Sequence, residues 1–181
     1  QNAHPHLTPG KLAIVHNGII ENHEELREDL IAAGYEFTSE TDTEVILHEV
    51  DRQYRVAGDL YEAVRLAVNR LHGAYAIGLF HSDEPRRIVG ARSGSPMVVG
   101  VGEQGRYIAS DMAALLSETR DFYIIDDDEL VDISDLGVRI TDLNGNTIER
   151  ELFTSDQHAG AADLGDYRHY MLKEMHEQPE A

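Results

Sequence analysis

The clearest constraint on the fold is a change of hydrophobic period at Gly73. Before it, apolar residues recur at the 3.6-residue spacing of a helix and form one stripe, made of Leu60, Ala63, Val64, Ala67, Val68 and Leu71. After it, short apolar segments separated by turn residues predict a series of strands that begins at Ala74. These segments lie too close together for helical crossovers, so the strands are predicted to be mostly antiparallel.

The first third of the chain predicts one strand and two more helices. A short apolar run over Leu12–Val15 predicts a buried strand, and amphipathic segments follow it. Helices and strands therefore occupy separate parts of the chain, which is typical of an α+β fold with stacked antiparallel sheets and helices outside. Near the end of the strand region, Asn144-Gly145 predicts a hairpin between strands over Val138–Thr141 and Thr147–Leu152.

The last part of the chain differs in composition. Residues 154–166 contain little apolar surface and are interpreted as a linker, and a further helix is predicted from Tyr167 to Gln178. We therefore divide the chain into a domain over residues 1–153 and a segment over residues 154–181. Because the chain begins with Gln1 rather than Met, and stops as the last helix becomes established, we expect both ends to be cuts within a longer protein.

Charge and cysteine content exclude several function classes. The 34 acidic and 15 basic residues give a formal charge of -19, and such a surface repels nucleic acid and anionic lipid. The chain contains no cysteine, which excludes disulfides, a thiolate nucleophile and a Cys-based zinc site within these 181 residues. No apolar run approaches a membrane span and no secretory signal is visible, so a cytoplasmic protein is expected.

The pair Asn17-Gly18 is the first candidate for chemistry. It is predicted to end the strand over Leu12–Val15 and to lead into a helix, so that the Asn17 side-chain amide and the Gly18 backbone N–H present two donors at one point. Two convergent donors are what an oxyanion hole requires. The residues alone leave an ordinary Asn-Gly turn as the other interpretation.

Two helix starts carry capping-box spacing. Asn22 and Glu25 are three residues apart at the first helix, and Thr41 and Glu44 are three apart at the second. Asp42 is predicted in the first turn of the second helix, where the helix dipole favours a carboxylate. It either serves only this electrostatic role or points into a cleft and binds a substrate ammonium.

Histidines are the remaining candidates for a ligand site. His4 and His6 flank Pro5 and diverge in an extended chain, so substrate-side or ordinary polar roles are preferred to metal binding. His16 and His23 are separated by a predicted turn, and no His-x-x-x-His spacing supports a helix-based site. We predict neither a metal nor a cofactor.

Several stretches, taken together, resemble the class II glutamine amidotransferase domain. They occur in the family's order: His16–Asn22, Ser39–Glu44, Gly73–Ala76, Ala91–Pro96 and Ala109–Asp111. The closing segment Arg168–Pro179 is similar to the junction between the glutaminase and sugar-isomerase domains in the glutamine–fructose-6-phosphate aminotransferases, the hexosamine branch of this family. The resemblance covers nearly the whole chain, and its specificity comes from the combination rather than from one motif.

The resemblance implies a fold, a reaction and roles for four residues. The fold is an N-terminal nucleophile hydrolase-like αββα sandwich of antiparallel sheets, incomplete here at its N-terminus. The family hydrolyses glutamine with an N-terminal cysteine, and the released ammonia aminates fructose 6-phosphate in a second domain; the full-length protein is expected to be a homodimer. Asn17 and Gly18 match the oxyanion hole, Asp42 the carboxylate that holds the substrate α-amino group, and His4 a histidine near the glutamine site.

The chain departs from the family pattern in two places. It contains no cysteine nucleophile, and it lacks the Arg-Trp-Ala-Thr-His-Gly motif whose arginine binds the glutamine carboxylate. Both belong to a segment that would precede Asn2. We therefore expect the isolated chain to be inactive as a glutaminase, and to be poorly stable because missing strands leave sheet edges unpaired.

Two alternatives remain open from the sequence. The chain could be a non-catalytic module that binds an amino acid through Asn17, Gly18 and Asp42. It could also derive from another class II amidotransferase, such as one serving purine or asparagine synthesis. The Ile19–Asn22 sequence and the closing junction favour the hexosamine branch.

Overall fold

Two antiparallel sheets and three helices make up the computed structural model, which describes residues 4–8 and 11–156. The helices are α1 (His23–Ala32), α2 (Asp42–Ala57) and α3 (Leu60–Val68), and a single 3-10 turn covers Met112–Leu115. The strands are β1 (His6–Leu7), β2 (Leu12–Ile20), β3 (Gly73–His81), β4 (Ile88–Ser93), β5 (Val98–Val101), β6 (Arg106–Ala109), β7 (Asp121–Ile124), β8 (Glu129–Ser134), β9 (Gly137–Asp142) and β10 (Phe153–Thr154).

The strand order separates the two sheets. One sheet has six strands in the order β1-β2-β3-β4-β8-β9, and the other has four in the order β10-β7-β5-β6. Every pairing between these strands is antiparallel, as the close spacing of the apolar segments predicted. The ladder between β2 and β3 is the longest, running from Leu12 opposite His81 to Ile20 opposite Gly73.

Three layers of apolar contact hold these elements together. The largest cluster lies between the helices and one face of the six-stranded sheet, and includes Leu30, Ile46, Val64, Ile77 and Leu130. A second lies between the sheets and includes Ala76, Met97, Val99, Val131 and Ile140. On the outer face of the four-stranded sheet, Val98, Leu116 and Phe122 pack with the 3-10 turn. The α+β prediction is confirmed. Among the described residues, the helical layer outside the four-stranded sheet consists of the 3-10 turn alone.

Helix α3 is shorter than its apolar stripe. The Asp59 side chain accepts a hydrogen bond from Glu62 N and caps the helix start, which is the usual role of aspartate before a first turn. The helix ends at Val68, whereas the stripe predicted it to continue to Leu71. Leu71 is buried in the same core, but from the turn that follows the helix, and Gly73 opens β3 rather than closing the helix.

Three other predictions about strands need correction. Strand β2 does not end before Asn17; it continues through Asn17-Gly18 to Ile20 because β3 pairs with it over its full length. The segment Thr147–Leu152 is not a strand: only an isolated bridge joins Thr147 to Thr141. Thr154 was assigned to the linker, but it pairs with Asp121 in β10.

Two parts of the predicted organisation lie outside the described residues. The helix over Tyr167–Gln178 is one, and residues 157–181 of the segment that begins at residue 154 are the other. The division at residue 153 therefore stays a prediction. Backbone bonding to the four-stranded sheet extends to Ser155, whose N–H donates to Arg120 O.

The close pairing of β2 and β3 near Ile20 and Gly73 depends on two glycines. Gly18 has φ +129° and Gly73 has φ +131°, a region that side-chain-bearing residues rarely adopt. A Cβ on Gly18 would lie 2.0 Å from Ala74 O, and a Cβ on Gly73 would lie 2.2 Å from Ile19 O. Each strand therefore occupies the space that a side chain on the other would need.

We predict that Gly73→Ala destabilises the fold far more than Gly137→Ala. Both glycines have φ +131°, but nothing lies within 4 Å of a Cβ on Gly137. The control carries only backbone strain of about 1–3 kcal/mol, whereas Gly73→Ala must also displace β2. Urea unfolding or thermal melts would measure this difference. Equal losses in the two variants would contradict the steric explanation.

Candidate functional site

An open strand edge lies at the centre of the site. Strand β1 pairs with β2 only as far as Ile14, which leaves the β2 edge from His16 to Ile20 without a neighbouring strand among the described residues. Glu21 N donates to His72 O, and hydrogen bonds alternate along an antiparallel pair. The N–H groups of Gly18 and Ile20 therefore point away from β3, towards the open edge.

Asp42 reaches this edge from the start of α2. It is the first residue of the helix, as predicted, and its Oδ2 accepts a hydrogen bond of 2.8 Å from Ile20 N. Thr41 is the N-cap residue, but its side chain makes no capping hydrogen bond. The Asp42 carboxylate instead interacts with the positive end of the helix dipole and accepts a hydrogen bond from the β2 backbone. Its side chain is 22% exposed, so the carboxylate is partly accessible from solvent.

Glu44 fixes the approach to this helix. The expected capping box is wrong in detail: Glu44 accepts backbone and hydroxyl hydrogen bonds from Thr38 and Ser39 instead of from Thr41. Burial raises the pKa of Glu44, but these hydrogen bonds outweigh burial and lower the pKa to about 2. The ionised carboxylate therefore ties the chain before α2 to its first turn.

A buried histidine lies behind Asp42. His16 Nδ1 is 3.0 Å from Thr43 Oγ1 and 4.0 Å from Asp42 Oδ1, and the His16 side chain is 2% exposed. His16 Nε2 is buried and has no hydrogen-bond partner among the described residues. His4 Nε2 lies 3.5 Å from the same Thr43 hydroxyl, so one threonine joins the N-terminal segment, β2 and α2.

A cavity of about 170 Å³ adjoins this cluster between the two sheets. Asn17 lines it together with Val15, which shares its face of β2, and with His4. Gly18 and Asp42 are not among its lining residues. His4 therefore lies close both to Asn17, across the cavity, and to Thr43, which follows Asp42 in α2. Asn17 and Asp42 themselves lie on opposite sides of the open β2 edge.

The far wall of the cavity comes from the loop after β4. Pro96 and Met97 line the cavity, and the start of the loop is held by Asp127, which accepts hydrogen bonds from Gly94 N at 2.8 Å and from the Arg92 guanidinium. Gly94 in turn forms an isolated bridge with Tyr75, the β3 partner of Gly18. The loop is therefore tied to the strand that shapes the Gly18 backbone.

Asn22 has a different role from the one predicted. It precedes α1, but its side chain forms no capping hydrogen bond. It donates instead to Arg70 O and accepts from His72 N, both at 2.9 Å. Asn22 therefore binds the turn before β3 to the end of β2.

The comparisons with known proteins agree with these motifs. A glutamine amidotransferase domain family matches residues 1–117. The chain belongs to this glutamine amidotransferase domain family. The "glutamine–fructose-6-phosphate aminotransferase [isomerizing]" of Bordetella pertussis is 54% identical over 185 residues, which is 99% of this chain and 30% of that protein. The same-named protein of Methanothermobacter thermautotrophicus is 49% identical over 182 residues, 100% of this chain and 31% of the relative.

Solved structures support the fold of the amidotransferase domain. A glutamine phosphoribosylpyrophosphate amidotransferase from B. subtilis superposes with a TM-score of 0.64 at 24% identity, covering 79% of this chain and 31% of that one. A glutamine aminotransferase class-II domain protein from Silicibacter pomeroyi gives a TM-score of 0.55 at 16% identity, covering 78% and 70%. These likenesses show that the described residues share the fold of these two proteins, which agrees with the predicted α+β arrangement of antiparallel sheets.

Two residues beside the candidate site, His16 and Thr43, are not predicted from the sequence to take part in it. The sequence places His16 in the family stretch His16–Asn22 and weighs it as a metal ligand, and it gives Thr43 no role beyond its place in Ser39–Glu44. Their positions beside Asn17 and Asp42 were the available signal. Within residues 4–8 and 11–156, no group of three His, Cys, Asp or Glu side chains could hold a metal ion, and no helix could span a membrane.

We predict that Glu44→Gln destabilises the domain by about 1–3 kcal/mol at pH 7, because an amide cannot satisfy all four donors that face the carboxylate. The native pKa lies below the unfolded value of 4.5, so this contribution is complete above about pH 4.5 and is lost as the pH falls towards 2. Urea unfolding between pH 3 and pH 7 would measure it.

Glu40→Gln is the matched control, since Glu40 is exposed in the same segment. It should change stability by less than about 0.5 kcal/mol. A Glu44→Gln loss that stays constant down to pH 3 would contradict the assignment of an ionised, hydrogen-bonded Glu44.

Proposed function

We propose that the chain is the glutamine-binding part of a glutamine–fructose-6-phosphate aminotransferase. Asp42 Oδ1 binds the α-ammonium of L-glutamine, and the Asn17 amide with the Gly18 N–H forms the oxyanion hole for its side-chain carbonyl. The observation that carries the proposal is the open β2 edge: the Asp42 carboxylate bonds to Ile20 N, and the Gly18 N–H, two residues earlier on the same strand, points away from β3.

Charge supports the assignment of Asp42. One carboxylate oxygen is already bonded to Ile20 N, which fixes the orientation of the group. The Asp42 side chain is partly exposed, and an ammonium group that reaches its other oxygen forms a charge-assisted hydrogen bond. The α-ammonium is the one cationic group of glutamine, so this contact would select an amino acid over a simple amide.

The oxyanion assignment follows from donor chemistry. Attack on the glutamine amide places negative charge on its oxygen, and preorganised N–H donors stabilise that charge. Gly18 lacks a side chain, so a substrate atom can approach its N–H closely. Its unusual φ is maintained by the contact with Ala74 and Tyr75 on β3, which keeps the donor in place before substrate binds.

The nucleophile is the missing component. The 181 residues include no cysteine, and the chain spans about 30% of the curated relatives it matches. We propose that the thiol comes from outside these residues and approaches through the cavity lined by Asn17. In this proposal the ammonia aminates fructose 6-phosphate in a cytoplasmic homodimer, and residues 154–181 lead to the domain that binds the sugar.

A non-catalytic amino-acid-binding module is the second candidate. These residues contain no cysteine to act as a nucleophile, whereas the carboxylate proposed to bind the amine is present. This combination favours a module that binds an amino acid without catalysis. The purine-pathway alternative has less support: the phosphoribosylpyrophosphate amidotransferase is 24% identical, against 54% for the fructose-6-phosphate aminotransferase of Bordetella pertussis.

We predict that the 181-residue chain binds L-glutamine and that Asp42→Asn weakens binding about 10- to 100-fold, since a charge-assisted bond of about 1.5–3 kcal/mol is lost. Isothermal titration calorimetry at pH 7.5 would measure the dissociation constants. Asp135→Asn, in the turn between β8 and β9, is the control and should bind as the unaltered chain does. Equal affinity in the Asp42 variant would refute the proposed amine contact.

We also predict that the purified chain does not hydrolyse glutamine. Oxyanion donors stabilise charge only when a nucleophile generates it, and no thiol is present in these residues. A coupled ammonia assay with saturating glutamine should give the buffer rate. Release of glutamate and ammonia above that rate would overturn this prediction.

A further inference from the structure

The buried histidine behind Asp42 belongs to no step described so far. His16 lies on the helix-facing side of β2, next to Asn17, and its ring is almost completely buried. Its Nδ1 contacts the Thr43 hydroxyl, and its Nε2 has no partner in the described part of the chain. A buried nitrogen that lacks a partner costs free energy, so an account of His16 must go beyond packing.

The two oxygens of Asp42 have different neighbours, and one of them lies near His16. Oδ2 accepts from Ile20 N at 2.8 Å, so Oδ1 is left for a ligand. Oδ1 is also the oxygen nearer to His16, at 4.0 Å from Nδ1. That separation is too long for a hydrogen bond but short enough for strong electrostatic interaction with a charged ring.

Thr43 keeps the neutral ring away from Asp42. Its hydroxyl lies 3.0 Å from His16 Nδ1, so the nitrogen that faces α2 is bonded to the threonine rather than to the carboxylate. The same hydroxyl is 3.5 Å from His4 Nε2. While His16 is neutral, Asp42 Oδ1 therefore has no cationic partner on the protein among the described residues.

We propose that His16 is a positioning residue for amine binding: its neutral ring leaves Asp42 Oδ1 free for the α-ammonium of glutamine, and its protonated ring competes with that ammonium. The inference rests on the proposed function, since it assumes that Asp42 binds the amine. It adds a coupling between proton uptake at His16 and ligand affinity at Asp42.

The groups around the ring favour the neutral form. Burial lowers the pKa of His16; the Asp42 carboxylate acts in the opposite direction, and His4 and His6 from the N-terminal segment lower the pKa further. The β3 partner of His16 is Ile77, which carries no charge. His16 is therefore neutral at pH 7 and gains its proton only in more acidic solution.

Linkage makes the proposal measurable in both directions. If protonation of His16 weakens ammonium binding, then ammonium binding must lower the pKa of His16 by the same coupling free energy. Removing the Asp42 carboxylate should lower that pKa as well, because an attractive negative charge is lost. Both shifts follow from the 4.0 Å separation of the ring from Asp42 Oδ1, so a His16 that is not coupled electrostatically to the amine site would show neither.

The first experiment follows the His16 ring signal by NMR between pH 4.5 and pH 8 in the 181-residue chain. The expected result is one titration whose midpoint falls in Asp42→Asn and falls again on saturation of the unaltered chain with L-glutamine. The fall in the midpoint on glutamine binding should correspond to a change in affinity of about fivefold or more, which is the lower end of the range for coupled sites. A midpoint that is unchanged in Asp42→Asn overturns the inference without any reference to glutamine.

The second experiment measures affinity by calorimetry at pH 5.0 and pH 7.5. The unaltered chain should bind L-glutamine at least about fivefold more weakly at pH 5.0, and His16→Gln should lose most of this dependence because it cannot be charged. Glutaramate, which lacks the α-amine, should show no such dependence. Exposed His72, changed to Gln, is the control for general histidine titration and should behave as the unaltered chain.

The outcomes separate this inference from the proposed function. If Asp42→Asn binds L-glutamine as tightly as the unaltered chain, the proposed amine contact fails. If Asp42→Asn weakens binding but His16→Gln keeps the full pH dependence, only the inference fails. If His6→Gln alone abolishes the dependence, His6 rather than His16 is its source and the inference fails. Thr43→Val tests the shared hydroxyl: it should move the His16 midpoint while the dependence persists.

Discussion

The close approach of β2 and β3 at two glycines is the constraint on which the site depends. At Gly18 and Gly73 each backbone occupies the volume that a side chain on the other strand would need. The unusual φ of Gly18 follows from this packing, and so does the position of its N–H at the open edge of β2. The orientation of the Gly18 N–H is therefore set by the longest ladder of the fold.

The second half of the site is supplied by α2, and its placement depends on polar contacts rather than on apolar packing alone. Glu44 holds residues 38 and 39 against the helix start, and Asp42 joins the helix to the β2 backbone through Ile20. Both carboxylates lie in the first turn, where the helix dipole favours negative charge. Glu44 anchors the residues before the helix, whereas the Asp42 side chain remains 22% exposed.

Periodicity predicted much of the fold, because helices and strands here have different and regular apolar spacing. It failed where local and non-local contacts compete. Asn17-Gly18 has the composition of a turn, yet β3 pairs across it and continues the strand to Ile20. Asn144-Gly145 does form a turn, but the residues after it make only one bridge back to β9. Leu71 continues the helical stripe of α3 but is buried from the turn beyond it.

By itself, the sequence determined the α+β class, the order of elements, the excess of acidic charge and the family to which the chain belongs, since each depends on local pattern or on motifs in order. It also identified Asn17, Gly18, Asp42 and His4 as candidates. Only the tertiary structure decided that β1 stops at Ile14 and leaves an edge open, that Asp42 bonds to Ile20, and that His16 lies behind it. The last two facts join residues more than twenty positions apart, and only the packing of α2 against β2 brings them together.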